Sequence, residues 1–422
     1  MTSQNIQTDE MSMFALQGYR ILDFGTAWAG PMTAQLLADM GAEVIKVETR
    51  KRMDGLRMGR PIVGTDVAGG DEGKWPDMQT AFHALNRNKL SITLDLQHPE
   101  GHLAITKLVS LSDIVIDNSS PGVMEKLGLD HKKLAVVKPD IITISLTACG
   151  ESGPLMRTVA YAPTITAVGG LNSLTGYHGE DALYLMNVAY GDANASAHAV
   201  FAVLAALWYR EETGQGQHIE LSETEAVTSL LGEGFMELEM NGRLLGPQGN
   251  FDRAMCPHGI YRCQGDDKWI ALAVNEDDEW RSLCKALDRE EWLNDERFKD
   301  RRARLEHTSE LNSLITEWTI QRSSQDVMDL LQGAGVAATS VMNVEDQFLD
   351  MHYRERNTFE EIEHALVGTE MLPGIPWKLS RTPGKLMRPA PSIGEHNGYV
   401  FGHLLGYTPE EIARLEESKV IY

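Results

Sequence analysis

Along the first half of the chain, short and mainly apolar runs alternate with segments whose apolar residues recur every three or four positions. Runs of the first kind read as strands buried on both faces, and segments of the second kind as the helices that cover them. The strand runs are Tyr19–Phe24, Glu43–Glu48, Ser91–Leu96, Asp113–Asp117, Asp140–Leu146 and His218–Ser222. Helices are predicted between them over Met32–Met40, Glu100–Ser112 and Val123–Leu127, with a strongly apolar one over Ala199–Leu207. This rhythm predicts an α/β fold with a Rossmann-like large domain on a mostly parallel sheet. Such sheets take ligands at the carboxyl ends of their strands. Those ends are Gly25–Pro31, Glu48–Arg50, Asn118–Gly122 and Thr147–Gly153.

The pattern changes further on. A helix over Val227–Glu239 leads into the Gly/Pro loop Asn241–Asn250. Tyr261–Val274 predicts a hairpin turning at Gly265–Lys268, followed by helices over Glu276–Asp288, Glu291–Leu293, Ser309–Thr319 and Gln325–Ala334 and a strand over Val336–Val341. This is a smaller α+β domain. After a helix over Asn343–Met351 the chain becomes irregular and Pro-rich up to Pro391, and it ends in the helix Pro409–Glu417, opened by the capping sequence Thr408–Glu411.

Composition narrows the function classes. The 422 residues carry 61 acidic against 38 basic side chains, a net charge of −23, which excludes nucleic acid and anionic membrane as main partners. The four cysteines form no disulfide framework, so a cytoplasmic setting is expected. Cys256, His258 and Cys263 have no second cluster to complete a metal site, and no metal is expected. The polar start of the chain, with a mobile tail expected over Met1–Phe14, is neither a signal nor a transit peptide. No apolar run reaches the ~20 residues a membrane span requires.

Candidate chemistry gathers in Tyr190–Ser222. Asp192 stands among Gly191, Ala193, Ala195, Ser196 and Ala197, just before the apolar helix. That placement suits a helix N-cap, and it equally suits a carboxylate exposed to a closely approaching ligand. The loop GTAWAGP after the first strand is not the dinucleotide fingerprint GxGxxG, and it serves either strand–helix geometry or a phosphate-bearing ligand. Arg87 and Lys89 sit either in a phosphate-holding cluster or in a solvated loop, and Arg50–Asp77 reads as an excursion across the surface or towards a partner.

Taken together, LDFGTAWAGPMTAQLLADMGAEVIKVE, NRNKLSITLDLQHPEG, DIVIDNSSPGVMEKLGLD, YREETGQGQHIELSETEA and APSIGEHN…LLGYTPEEI resemble, in order, the blocks of the class III CoA-transferases. These are the formyl-CoA and carnitine CoA-transferase group, and YAPTITAVGGLNSLTG is similar to the benzylsuccinate CoA-transferase-like branch. The resemblance implies an enzyme that moves CoA from an acyl-CoA donor such as succinyl-CoA to a carboxylic acid. Asp192 is then the nucleophile, passing through an acyl anhydride and an aspartyl-CoA thioester. It also implies a CoA pocket at Trp28, Ala29, Leu94, Asp95, Leu96, Asn118, Ser119, Ser120, Lys126, Arg157 and Tyr161. Thr49 and Gln97 stand where the family commonly has basic residues. No tightly bound cofactor is implied, because the CoA thioester is a substrate. The implied partners are the two substrates and a second subunit, identical or related, in an interlocked ring-shaped dimer. The implied domains are 1–225 as the N-terminal part of the large domain, 226–252 a linker, 253–345 the small domain, 346–390 a return linker and 391–422 the C-terminal part of the large domain. Backbone N–H groups near Gly169 and Gly170 are candidates for an oxyanion hole. Two rivals remain. A 2-methylacyl-CoA racemase would need a His/Asp pair, for which His131 is the candidate between Ala104 and Tyr177. The other is a non-catalytic CoA-binding partner subunit.

Overall fold

The computed structural model describes residues 14–62, 71–183 and 188–422. All but the last residue of the tail expected over Met1–Phe14, and residues 63–70 of the expected excursion, lie outside that description. The chain divides into two compact units. The first comprises the described residues within Met1–Leu171, Leu185–Gly232 and Tyr353–Tyr422, and the second those within Asn172–Tyr184 and Glu233–His352.

The first unit is built on strands β1 (Arg20–Asp23), β2 (Glu43–Glu48), β3 (Lys89–Thr93), β4 (Ile114–Asp117), β5 (Ile142–Thr147) and β6 (His218–Ser222). They form a six-stranded sheet in the order β3-β2-β1-β4-β5-β6, parallel at every pairing. Helices α1 (Ala29–Asp39), α2 (Thr80–Asn86), α3 (Pro99–Ser110), α4 (Val123–Leu127), α5 (His131–Val137), α6 (Ala162–Val168), α7 (Tyr190–Thr213) and α8 (Glu223–Thr228) connect them. Side chains alternate across the sheet as the pleat requires. Ile21, Val44, Ile114 and Ile144 pack under α1 and α7, against Leu37, Ala38, Ala199 and Val203. Leu22, Ile45, Leu90 and Val115 pack on the other face, against Ile105 and Leu108 of α3 and against Phe401, Leu415 and Ile421 near the C-terminus. Each such fully buried aliphatic side chain contributes about 1.5–3 kcal/mol over leaving it in water.

The second unit contains α9 (Gly232–Asn241), of which all but Gly232 belongs here, and strands β7 (His258–Arg262), β8 (Trp269–Ala273) and β9 (Ala337–Ser340). These strands make an antiparallel sheet in the order β7-β8-β9. Helices α10 (Asp277–Ala286), α11 (Arg301–Glu306), α12 (Thr308–Thr319), α13 (Ser324–Gly333) and α14 (Val344–Leu349) accompany it, around a core that includes Trp280, Trp292 and Phe298. Helix α15 (Met351–Glu355) then leads into a hairpin, β10 (Phe359–His364) paired with β11 (Gly368–Pro373), and the chain ends with α16 (Pro409–Glu417).

Three features differ from the sequence reading. The helix expected over Ala199–Leu207 is 24 residues long, because the small residues from Tyr190 onward are helical too. The helix expected over Asn343–Met351 is present as α14, but the stretch from there to Pro391 is not irregular throughout: it carries α15 and the β10–β11 hairpin, whose polar face hides the strand pattern. Arg87 and Lys89 are not a solvated or phosphate-holding pair. Lys89 begins β3 fully buried, with Nζ 2.8 Å from Asp23 Oδ2, and Arg87 bonds the buried Asp39 at 2.8 Å. Burial pulls the Lys89 ammonium down to about 8, while Asp23 opposes the shift.

Candidate active site

A cavity of about 760 Å³ lies in the first unit, lined from the carboxyl ends of the sheet strands. That volume is in the range of small-molecule sites. The loop after β1 forms one wall and is tied down residue by residue. Gly25 N–H donates to Asp23 Oδ1 at 2.8 Å, and Lys46 Nζ donates to Gly25 O at 2.7 Å. Thr26 N–H donates to Asn118 Oδ1 at 2.9 Å, and Asn118 Nδ2 returns a bond to Thr26 O at 2.8 Å, which bridges the point where the strand order reverses. Ala27 adopts a left-handed φ of 59° and donates to Asp54 Oδ1 at 3.1 Å. The loop admits no larger residue at Gly25: a Cβ there would stand 2.8 Å from both Asp23 Oδ1 and Pro31 Cδ.

Asp192 lies in the first turn of α7, whose N-cap is Ala189, so it is not the cap. Its carboxylate faces the backbone N–H groups of Asp192 itself and of Ala29, the first residue of α1, and both favour its charge. Two helix N-termini therefore meet at one carboxyl group, an arrangement that favours negative charge there. Ser196, one turn on, fixes the junction: its hydroxyl lies 3.0 Å from Ala29 O and 2.8 Å from Asp192 O. Burial outweighs these contacts and pushes the Asp192 carboxyl up to about 6. Asp192 Oδ2 has no hydrogen-bond partner among the described residues.

Of the residues expected around a ligand, Leu94, Asp95, Leu96, Asn118, Ser119, Ser120, Lys126, Tyr161 and Asp192 line this one cavity. Trp28, Ala29 and Arg157 do not. Trp28 caps α1 and keeps its indole N–H buried, Ala29 is buried and acts through its backbone, and Arg157 is exposed. Gly169 and Gly170 are not in the lining either: a Cβ on Gly169 would stand 2.8 Å from Val227 Cβ, and on Gly170 2.9 Å from Leu231 Cδ1, so these glycines serve close packing. Among the described residues no histidine lines the cavity. His131 bonds Thr143 Oγ1 at 3.0 Å and stacks on His218, and His198 is exposed.

Several lining residues escaped the sequence reading. Lys51, Arg52, Met53, Asp54 and Gly55 come from the segment expected to be a surface excursion. Arg57 holds that segment in place: it is buried, forks onto Glu48 at 2.7 and 2.9 Å, and bonds Asp77 at 2.8 Å and Pro391 O at 3.0 Å. The basic run Arg50–Arg52 at a strand end was the available signal. Glu223, first residue of α8, also lines the cavity.

The cavity at the strand ends is thus lined by the Asp192 carboxylate and by cations at Lys51, which pairs with Asp95 at 2.6 Å, Arg52 and Lys126. The family model for CoA-transferase family III matches residues 16–397, so the chain belongs to that family. It is a class III CoA-transferase, an enzyme of CoA transfer between an acyl-CoA and an acid. It is 31% identical over 406 residues to the succinyl-CoA–D-citramalate CoA-transferase of Chloroflexus aurantiacus, covering 96% of this chain and 98% of that protein. It is 32% identical, over 96% of this chain and 92% of that one, to the alpha subunit of a succinyl-CoA–L-malate CoA-transferase from Chloroflexus aurantiacus. Among solved structures, a CaiB/BaiF family protein from Brucella suis matches with a TM-score of 0.83 and 29% identity, covering 93% of this chain and 99% of that one. Among the described residues no helix is long and apolar enough to cross a membrane.

Proposed function

We propose that this chain carries CoA from a dicarboxylic acyl-CoA, succinyl-CoA being the donor of first choice, to a second dicarboxylic acid, with Asp192 as the covalent relay. The observation that carries this reading is the orphaned Asp192 Oδ2 in a cavity whose lining includes Lys51, Arg52 and Lys126. The malate and citramalate in the relatives' names support the acceptor class. CoA lies with its phosphates toward those cations and its thioester at Asp192. Lys51 and Arg52 offset the missing basic residues at Thr49 and Gln97.

An Asp192 oxygen attacks the thioester carbonyl carbon, the C–S bond breaks, and CoA leaves as thiolate. The thiolate attacks the Asp192 carbonyl carbon of the resulting anhydride, releasing the donor acid and leaving an aspartyl-CoA thioester. The acceptor carboxylate attacks that thioester and expels the thiolate, which takes the acceptor's acyl group from the new anhydride and restores Asp192. Each bond broken is matched by one formed between groups of similar activation, so no nucleotide is consumed. The Ala29 N–H and the two helix ends support the ionised nucleophile against the cost of its burial.

In solution the enzyme is a dimer, of identical or related subunits, and the exposed apolar face of α7, with Phe201 77% and Trp208 71% accessible, supports this. Its free cysteines suit the reducing cytoplasm. The test is a panel of acyl-CoA donors and acids, with new thioesters read by mass spectrometry. Succinyl-CoA with a hydroxydicarboxylic acid is expected to give the acceptor's CoA ester, and Asp192→Ala to lower the rate by roughly 10⁴-fold or more. Exchange of an α-proton for deuterium with no acceptor acid present, unaffected by that substitution, would overturn the transferase assignment of this site.

A further inference from the structure

Glu223 is the feature of the cavity that the transfer chemistry leaves unused. It opens α8 directly after β6, and its residue is only 5% exposed. Its Oε2 is buried without a hydrogen-bond partner, and no basic side chain pairs with it among the described residues. Asp192 Oδ2 and Thr147 Oγ1 line the same cavity and are orphaned in the same way. Asp54 Oδ2 lacks a hydrogen bond on this cavity too but is ion-paired with Lys46 at 3.5 Å, whereas these three have neither. Buried polar atoms without partners are rare and costly, and such a group suits a ligand that supplies the missing bonds. The apolar Leu146, Ala148 and Ile165 line the same cavity.

We propose that Glu223 is a second working carboxyl of this site, which stays protonated and donates a hydrogen bond to the carbonyl oxygen of the acyl group being transferred at Asp192. The inference rests on the reading of Asp192 as the nucleophile. In the attack, the new C–O bond pushes the carbonyl electron pair onto oxygen, and collapse of that oxyanion expels the thiolate. Glu223 keeps its proton throughout and stabilises the oxyanion by its O–H, so no further reactant is needed. Ionised, it would add a negative charge beside Asp192 and repel the incoming acceptor carboxylate.

The groups facing it agree with that state. Asp192 on α7 is the charge that reaches it. His218 and Glu220 on β6 are engaged elsewhere, His218 with Glu151 Oε2 at 2.9 Å and Glu220 with the Glu151 N–H at 2.5 Å. Helix α6 carries no ionisable side chain, and Tyr161 stands at its cap; Glu225 follows on α8 itself. Burial first, and the charge of Asp192 second, push the Glu223 carboxyl up to about 8. A neutral carboxylic acid kept as a donor beside an ionised one is an established way of stabilising an oxyanion.

The test compares wild type with Glu223→Gln, which keeps a donor and cannot ionise, and Glu223→Leu, which has none. Succinyl-CoA and an acceptor acid are used for kcat and KM from pH 5 to pH 9.5, and hydroxylamine trapping at Asp192 is measured on each protein. Wild type is expected to lose activity above a pH of about 8, Glu223→Gln to lose that alkaline limb while staying within about tenfold at neutral pH, and Glu223→Leu to lose about 10²–10³ in kcat with little change in the KM for succinyl-CoA. An alkaline limb unchanged in Glu223→Gln, or a wild-type kcat in Glu223→Leu, would overturn the proposal. Trapping at Asp192 in all three proteins alongside either result would sink the role of Glu223 alone, whereas no trapping in the active wild type would sink the transfer reading beneath it.

Discussion

At the scale of single residues, Asp192 is pulled in two directions. Two helix N-termini and the Ala29 N–H favour its charge, and burial opposes it, with the balance at about 6. The group has to be ionised to attack, so kcat/KM for the acyl-CoA is expected to fall as pH drops through about 6, where Asp192 takes up a proton. A pH series measured under kcat/KM conditions checks this. Glu223 is still protonated in that range, so the acid limb is expected to stay in place in Glu223→Gln, and a shift of a full pH unit would show the two carboxyls coupled differently. Asp192 was singled out in the sequence by the resemblance of the ordered motifs, because the small residues and helix start around it suit a cap equally well. Glu223 was not, since acidic residues after a capping Ser are what any helix start shows, and only the fold reveals that this one turns into the cavity.

At the scale of elements, the loop between β1 and α1 positions the site. It carries Gly25 against Asp23 and Pro31, and it delivers the Ala29 N–H to Asp192. Gly25→Ala is expected to destabilise the protein by about 1–3 kcal/mol through the forced contact. Urea unfolding reads that loss, with a matching drop in kcat as α1 shifts; unchanged stability would mean the loop yields easily. Lys89→Met is expected to cost about 3–5 kcal/mol, because it leaves Asp23 charged, buried and without its partner. The core elements of the first sheet were readable from apolar runs, often to within a residue or two, as for β2, β6 and α16. Others were hidden for physical reasons. Lys89 looked solvated because burial of a lysine depends on a partner far along the chain, and the first strand of the β10–β11 hairpin is Glu-rich and mostly half-exposed.

At the scale of the whole molecule, the parallel sheet and its right-ordered strands define where a ligand goes, and the order of motifs along the chain made that fold readable before any coordinates. The cations at Lys51 and Arg52 were not readable, because their place depends on Arg57 folding the segment back onto Glu48 and Pro391. Subunit association belongs to this scale as well. The pair Phe201→Asp and Trp208→Asp is expected to shift sedimentation from dimer to monomer while leaving the far-ultraviolet spectrum unchanged; a wild type that already sediments as a monomer would refute the dimer.

Covalent acylation of Asp192 is the step on which the proposed reaction turns. It is tested most directly by incubating the enzyme with succinyl-CoA and hydroxylamine, digesting it, and reading the peptide that contains Asp192 by mass spectrometry. A hydroxamate at Asp192 is expected that requires the acyl-CoA and is absent from Asp192→Ala. An unmodified Asp192 peptide from enzyme that is turning over would contradict it.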